Sequence, residues 1–162
     1  MGARIWGRMA ESGDLADGSK LIYQPFKPRR DMILRGLRHW MIFYNNPTIQ
    51  NIKCALYASD NSSGVHLPST KIEESSKVWL KSEIISLDNG FFEIYYDFDN
   101  VPLQENTTYH FVFYADTYSF SELSHVAYRV AFPDPVYSEG LTIAASKVST
   151  FPLALYVIGA DL

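Results

Sequence analysis

The sequence predicts an all-β protein, an antiparallel β-sandwich of about eight or nine strands. Residues 51–59, 91–99 and 108–116 alternate apolar and polar side chains, which is the pattern of strands with one buried face. Short apolar runs recur about every 8–12 residues, separated by clusters of Pro, Gly, Asn and Asp. Because no segment with helical periodicity lies between these runs, the pattern favours a sandwich over a parallel sheet.

Each of the three alternating segments predicts a set of core side chains. These are Ile52, Cys54, Leu56 and Ala58, then Phe92, Ile94, Tyr96 and Phe98, and finally Tyr109, Phe111, Phe113 and Ala115. Less regular apolar runs predict further strands at residues 21–26, 32–44, 78–86, 125–132, 141–146 and 153–158. The pair Asn89-Gly90 suits a type I′ turn, so we expect a hairpin that joins residues 78–87 to 91–98.

Length and composition set the limits of this interpretation. The chain has 162 residues, 47% of them hydrophobic, which suits one folded domain. The single cysteine, Cys54, excludes an internal disulfide framework and a multi-cysteine metal site. The longest apolar run has about eight residues against the roughly 20 of a spanning helix, so we expect no membrane insertion.

Residues 1–19 differ from the rest because glycine and acidic residues separate their few apolar side chains. We predict an extended N-terminal arm here, followed by a sandwich domain over residues 20–162. Ile5, Trp6 and Met9 are the candidates for docking the arm on a neighbouring subunit. The alternative interpretation is a frayed terminus.

The charge is distributed unevenly. Residues 1–40 carry eight Lys or Arg and four Asp or Glu, whereas residues 41–162 carry six and fourteen. The basic residues show no interleaved stacking aromatics and no nucleic-acid fingerprint, so we expect no nucleic-acid partner. They are interpreted as a solvated strand edge or a surface for an acidic partner.

No catalytic signature is present in the sequence. Phosphate-binding loops, the nucleophile elbow and the zincin motif are absent, and we therefore expect no enzyme, no catalytic residue and no cofactor. Asp97 and Asp99 on one strand face would stand about 7 Å apart, within the rough carboxylate spacing of inverting glycosidases. Together with Asn100 they also suit calcium, and a solvated strand end is the third interpretation.

Polar-aromatic strand faces are the most informative surface feature. Tyr57, Tyr95, His110 and Tyr114 all lie opposite the predicted core face of their strands. Flat rings beside hydrogen-bonding groups suit a glycan, a subunit interface or plain packing on a sheet surface, and the sequence leaves these alternatives open. Trp40, Met41 and Trp79 are predicted to fill the core or an interface.

A series of strand and turn segments over residues 21–159 forms a broader pattern. Its members are Gln24-Pro25-Phe26, residues 32–44, residues 52–57 with the loop 59–68, residues 101–109, residues 137–140 and residues 155–159. In this the chain resembles jelly-roll β-sandwich modules of bacteriophage virion proteins (tail, fibre, baseplate or capsid-decorating components) and carbohydrate-binding-like domains of secreted bacterial proteins.

The resemblance implies a jelly-roll sandwich that acts as a non-enzymatic virion structural protein. It implies assembly with other virion subunits in the host cytoplasm, as a homo-oligomer such as a trimer. A carbohydrate- or receptor-binding module is the alternative, and a glycosidase-like enzyme is the third. In the related modules, a hairpin that carries a tryptophan follows the loop at residues 137–140. Residues 141–148 of this chain contain no tryptophan, so no ligand-contacting residue is transferred by position.

Overall fold

A computed structural model describes residues 5–8, 22–46, 48–64, 66–85, 91–119, 125–130, 142–144, 147–149 and 155–161. The described residues form eleven strands and one short helix. In chain order these are β1 (Ile5–Arg8), β2 (Ile22–Phe26), β3 (Met32–Tyr44), β4 (Thr48–Asp60), β5 (Leu67–Glu74), α1 (Lys81–Ile85), β6 (Phe91–Leu103), β7 (Tyr109–Ser119), β8 (His125–Val130), β9 (Thr142–Ala144), β10 (Lys147–Ser149) and β11 (Leu155–Asp161).

The strands form two antiparallel sheets. In sheet A, β3 pairs with β6 along one edge, while β11 and β8 share its other edge and β1 extends the sheet beyond β8. In sheet B the order is β10-β9-β2-β7-β4-β5. The prediction of an all-β antiparallel sandwich is therefore confirmed, while the jelly-roll arrangement stays a prediction.

The core lies between the two sheets and follows the predicted alternation. Ile94, Tyr96 and Phe98 of β6 face Phe111 and Phe113 of β7 in one cluster of buried side chains. Met41 is buried in the same cluster, and Trp79 packs against it from the side, as the sequence predicts for these two residues. Two-residue periodicity therefore identified the buried face of each of these strands.

The prediction of a strand at residues 78–86 is wrong. Trp79 makes an isolated bridge to Ile52, and α1 follows it. The carboxylate of Glu83 accepts a hydrogen bond from Leu80 N at 2.8 Å and pairs with Lys77 Nζ at 2.7 Å. These contacts stabilise a first helical turn without requiring the apolar face that a longer helix needs.

The predicted hairpin is wrong for the same reason. Strand β6 pairs with β3, and the chain before the Asn-Gly pair forms α1 instead of a partner strand. The turn itself, in residues 86–90, lies outside the described residues.

The first described residues of the predicted arm form a strand that pairs with another strand of the same chain. Strand β1 pairs with β8, with Ile5 opposite Val130 and Arg8 opposite Ala127. Ile5 and Trp6 thus belong to a strand of sheet A, whereas Met9 and the remainder of the arm lie outside the described residues. Docking on a neighbouring subunit stays a prediction.

A short segment links the two sheets along one side of the sandwich. This segment, residues 73–79, is called the strap here, and it begins with the last two residues of β5. On the sheet B side, Ser75 N donates to Cys54 O at 2.9 Å, and Trp79 and Ile52 exchange two backbone hydrogen bonds. The strap therefore follows β4 beyond the end of β5.

On the sheet A side, the strap covers the edge of β6 that faces away from β3. Asp99 N donates to Glu73 Oε1 at 2.8 Å, Ser76 N donates to Asp97 O at 3.0 Å, and Trp79 Nε1 donates to Tyr95 O at 2.9 Å. Three alternate residues of β6 thus have partners in the strap. An edge covered in this way is not open to pairing with another chain.

Tyr96 provides a direct test of how the core is packed. Its hydroxyl is buried and makes no hydrogen bond within the described part of the chain. Since a buried polar atom without a partner costs about 1–3 kcal/mol, Tyr96→Phe should leave the free energy of unfolding unchanged or raise it by about 1 kcal/mol. Urea denaturation measures this, with Tyr109→Phe as the matched control, since that variant removes a hydroxyl that binds Gln104 N at 3.0 Å. A loss of stability in Tyr96→Phe as large as in the control would show that the Tyr96 hydroxyl does make a hydrogen bond.

Candidate functional site

The four predicted contact residues do not form one surface. Tyr57, His110 and Tyr114 lie on the outer face of sheet B, on the adjacent strands β4 and β7. Tyr95 lies on β6 and belongs to the outer face of sheet A, on the opposite side of the sandwich. Periodicity gave the correct face of each strand, but it could not assign the strand to a sheet.

His110 lies on the predicted face but is fully buried, whereas the sequence analysis expected it at the surface. Its role in a contact surface stays a prediction. Its ring lies where β7 meets β4, and Tyr57 is its cross-strand partner. His110 Nε2 lies 3.1 Å from Ser59 Oγ, and the same oxygen lies 2.9 Å from His66 Nδ1. Since a hydroxyl carries one proton, Ser59 donates to one imidazole and accepts from the other. The group ties β7 to the chain between β4 and β5.

Tyr114 spans sheet B from one strand to the next but one. It stands opposite Lys53 on β4, yet its hydroxyl donates to Glu74 Oε2 on β5 at 2.5 Å. Because β4 runs between β7 and β5, the ring has to cross β4 at Ala55, the residue opposite Glu74. The small Ala55 side chain is completely buried there. A larger side chain at this position would block the ring.

The carboxylate of Glu74 receives a second contact, from Lys71 Nζ at 3.1 Å. The hydrogen bond from Tyr114, followed by the contacts with Lys71, holds the pKa of Glu74 below its ordinary value. Burial and the same hydrogen bond raise the pKa of Tyr114, so its hydroxyl keeps its proton at any physiological pH. Tyr114 therefore stays neutral and donates a hydrogen bond to the ionised carboxylate of Glu74.

A second polar group lies beside Tyr114 on the same face. Asp116 accepts from Lys53 Nζ at 2.7 Å and from Asn51 Nδ2 at 2.6 Å. The Lys53 ammonium is also 5.8 Å from the centre of the Tyr114 ring. These contacts, the hydrogen bond from Lys53 first, lower the pKa of Asp116. The acids and bases of this face thus neutralise one another.

The outer face of sheet A carries the remaining candidates. Tyr95 is 44% exposed, and the Trp79 ring meets it edge-on, with ring centres 5.4 Å apart and an interplanar angle of 80°. Lys77 Nζ lies over the Trp79 ring, 4.5 Å from its centre. Sequence reasoning missed the contact between Trp79 and Tyr95 because residues 73–79 show no periodicity that would place them beside β6.

Asp97 and Asp99, the candidate glycosidase or calcium residues, lie on the same exposed face of β6. Asn100 Oδ1 accepts from Arg35 Nε at 3.2 Å, and its amide group donates to Asp99 Oδ1. A guanidinium at the amide oxygen competes with the calcium interpretation, which needs that oxygen as a ligand. Within the described ranges, no three His, Cys, Asp or Glu side chains are arranged to hold a metal ion.

Comparison with protein-family models, curated proteins and solved structures gave no match. Among the helices of the described residues, none has the length and apolar composition needed to cross a membrane. A proposal for the function therefore has to start from the side chains themselves.

The Tyr114–Glu74 contact gives a pH-dependent prediction. In Tyr114→Phe we expect the pKa of Glu74 to rise toward its ordinary value and the protein to lose about 1 kcal/mol at neutral pH, a figure reduced for the partial exposure of Glu74. Because the folded-state pKa is lowered, this stabilisation is present above the unfolded pKa and is lost as pH falls through the folded value. The difference between the two proteins should therefore shrink in acid.

Carboxyl chemical shifts followed by NMR and urea denaturation at several pH values measure both effects. Tyr57→Phe is the matched control, as a tyrosine of the same face that lies outside this contact. A Glu74 titration identical in wild type and Tyr114→Phe would show that the hydrogen bond does not form.

Proposed function

We propose that the protein is a non-enzymatic structural subunit of a virion that works by assembling with copies of itself. Its contact surface is the side of the sandwich formed by β5, the strap and β6. Four of the five large apolar side chains that are exposed within the described residues belong to β5, to β6 or to the chain segment between them. They are Leu67 and Ile72 on β5, Leu80 after the strap and Tyr95 on β6, with exposed fractions of 38–50%. Their concentration in this part of the chain is the observation that carries the proposal.

The arrangement around Tyr95 fits a contact between subunits. Tyrosine and tryptophan are enriched at interfaces because they bury a large area with few rotatable bonds. The Trp79 Nε1 bond to Tyr95 O and the edge-on ring contact restrict Trp79 before any partner arrives. Preorganisation of this kind lowers the entropy lost on association.

Charged pairs surround the apolar positions. Lys77 pairs with Glu83, Arg38 with Glu93 at 3.1 Å, and Lys71 with Glu74. A paired polar rim around apolar and aromatic residues is the usual organisation of a protein interface. The same saturation of charges argues against a role in acid–base catalysis, which needs a group with a shifted and available proton.

The resemblance to phage modules supports a virion as the place of assembly. The two antiparallel sheets agree with the sandwich that this resemblance implies. The jelly-roll order of the strands is part of the proposal. A glycan- or receptor-binding module is the second candidate, because the perpendicular rings of Trp79 and Tyr95 form a corner beside polar groups. Retention of the wild type on a glycan array, abolished in Tyr95→Ala, would favour that second candidate.

The double variant Ile72→Ser/Leu80→Ser tests the assembly surface. Both side chains are about half exposed, so their replacement should leave the fold intact and should shift the protein from oligomer to monomer. Light scattering coupled to size exclusion measures the mass over a range of concentrations. Ile158→Ser is the matched control, because Ile158 is 39% exposed but lies on β11. A wild type that stays monomeric at every concentration, or a double variant that assembles like the control, would overturn the proposal.

A further inference from the structure

His39 lies in the middle of the sandwich core. It occupies β3 between Leu37 and Met41 and is 2% exposed. Its ring stacks on the Tyr96 ring of the same sheet, with ring centres 5.7 Å apart. The ring centre of Phe113 from sheet B lies 4.6 Å from that of His39. The imidazole is therefore part of the contact between the two sheets.

Neither ring nitrogen of His39 has a hydrogen-bond partner among the described residues. Among the described residues, the titratable groups that face this part of the core are Tyr96 from β6 and Cys54 from β4, which stands beside Phe113 in sheet B. Burial raises the pKa of both, so both are neutral. The charged neighbour on its own strand, Arg38, is exposed and pairs with Glu93 on the outer face. A protonated His39 would thus find no counter-charge in the described core.

We propose that His39 is an acid-sensitive switch in the fold, in which protonation of its ring breaks the packing of sheet A on sheet B. A charge held between two apolar sheets without a partner is expensive, because it loses its hydration and gains no ion pair. The ring can take up a proton favourably once the sheets separate and water reaches it. Acid therefore selects the loosened state.

The sign and the pH window follow from linkage. Burial lowers the pKa of His39 from 6.5 to about 3. The unfolded chain thus binds a proton that the folded chain does not, and the folded state loses stability as pH falls from 6.5 toward 3. Within this window the ratio of folded to unfolded protein should fall about tenfold for each pH unit.

Protonation of carboxylates changes the stability at lower pH than protonation of His39. The groups with lowered pKa, such as Glu74, Glu83 and Asp116, start from ordinary values of 4.5 and 3.8 and shift further down. Their protonation therefore affects stability only at lower pH. Between about pH 7 and pH 5 the change in stability reports histidines.

The experiment compares wild type with His39→Leu, which replaces the ring by an apolar side chain of similar volume. Urea denaturation at a series of pH values gives the equilibrium constant of unfolding. From pH 7 to pH 5 we expect the wild-type ratio of folded to unfolded protein to fall about 20- to 30-fold more than that of His39→Leu. Met41→Leu, which alters a buried apolar side chain on the same strand, is the matched control, and it should keep the wild-type dependence. Equal pH dependence in wild type and His39→Leu would overturn the proposal.

A second measurement uses the unaltered protein, in case the variant fails to fold. The imidazole chemical shifts of His39 should remain those of a neutral ring in the folded wild type from pH 7 to pH 5. In urea near the wild-type midpoint at pH 7, the near-ultraviolet circular dichroism should decrease as the pH falls to 5. A His39 ring that titrates near 6.5 while the protein stays folded would overturn the proposal.

Discussion

The strap contacts along the outer edge of β6 are the interactions on which the sandwich depends. Two sheets packed through side chains alone can slide or separate, whereas residues 73–79 join them through backbone and side-chain hydrogen bonds. The strap extends the pairing of β4 on one side and provides partners for Tyr95, Asp97 and Asp99 of β6 on the other. The same contacts satisfy strand groups that would otherwise face solvent or another chain.

The strap also determines where the exposed apolar residues lie. By carrying Trp79 to the edge of β6, it builds the aromatic corner with Tyr95 and leaves Leu80 exposed at its end. The outer face of sheet B has the opposite character, because Tyr114, Glu74, Lys53 and Asp116 bind one another across three strands. The side formed by β5, the strap and β6 is the one that we propose to be covered, whereas these described polar side chains of sheet B bind one another. His39, which is buried without a hydrogen-bond partner among the described residues, lies between the two sheets, and we propose that it makes their contact sensitive to acid.

The sequence predicted most of the strands because alternation of two residues is a local signal. The core positions of β6 and β7 followed from it directly, and the ends of β3 were correct. Alternation does not tell which strands share a sheet, so Tyr95 could not be separated from Tyr57 and Tyr114. It also does not tell how well an outer face is covered, so His110 was expected at the surface. The strap and α1 have no periodicity, and their positions follow from contacts with Ile52 and β6 that are distant in sequence.

Amide hydrogen exchange at Asp99 reports whether the strap closes the edge of sheet A. In the wild type this amide donates to Glu73 Oε1, so its exchange should be slow for an edge strand. In Glu73→Ala the Asp99 amide should exchange about tenfold faster or more, while the amides of β6 that face β3 keep their protection. If the Asp99 amide of the wild type exchanged at the rate of an unprotected amide, the strap would not close this edge of β6.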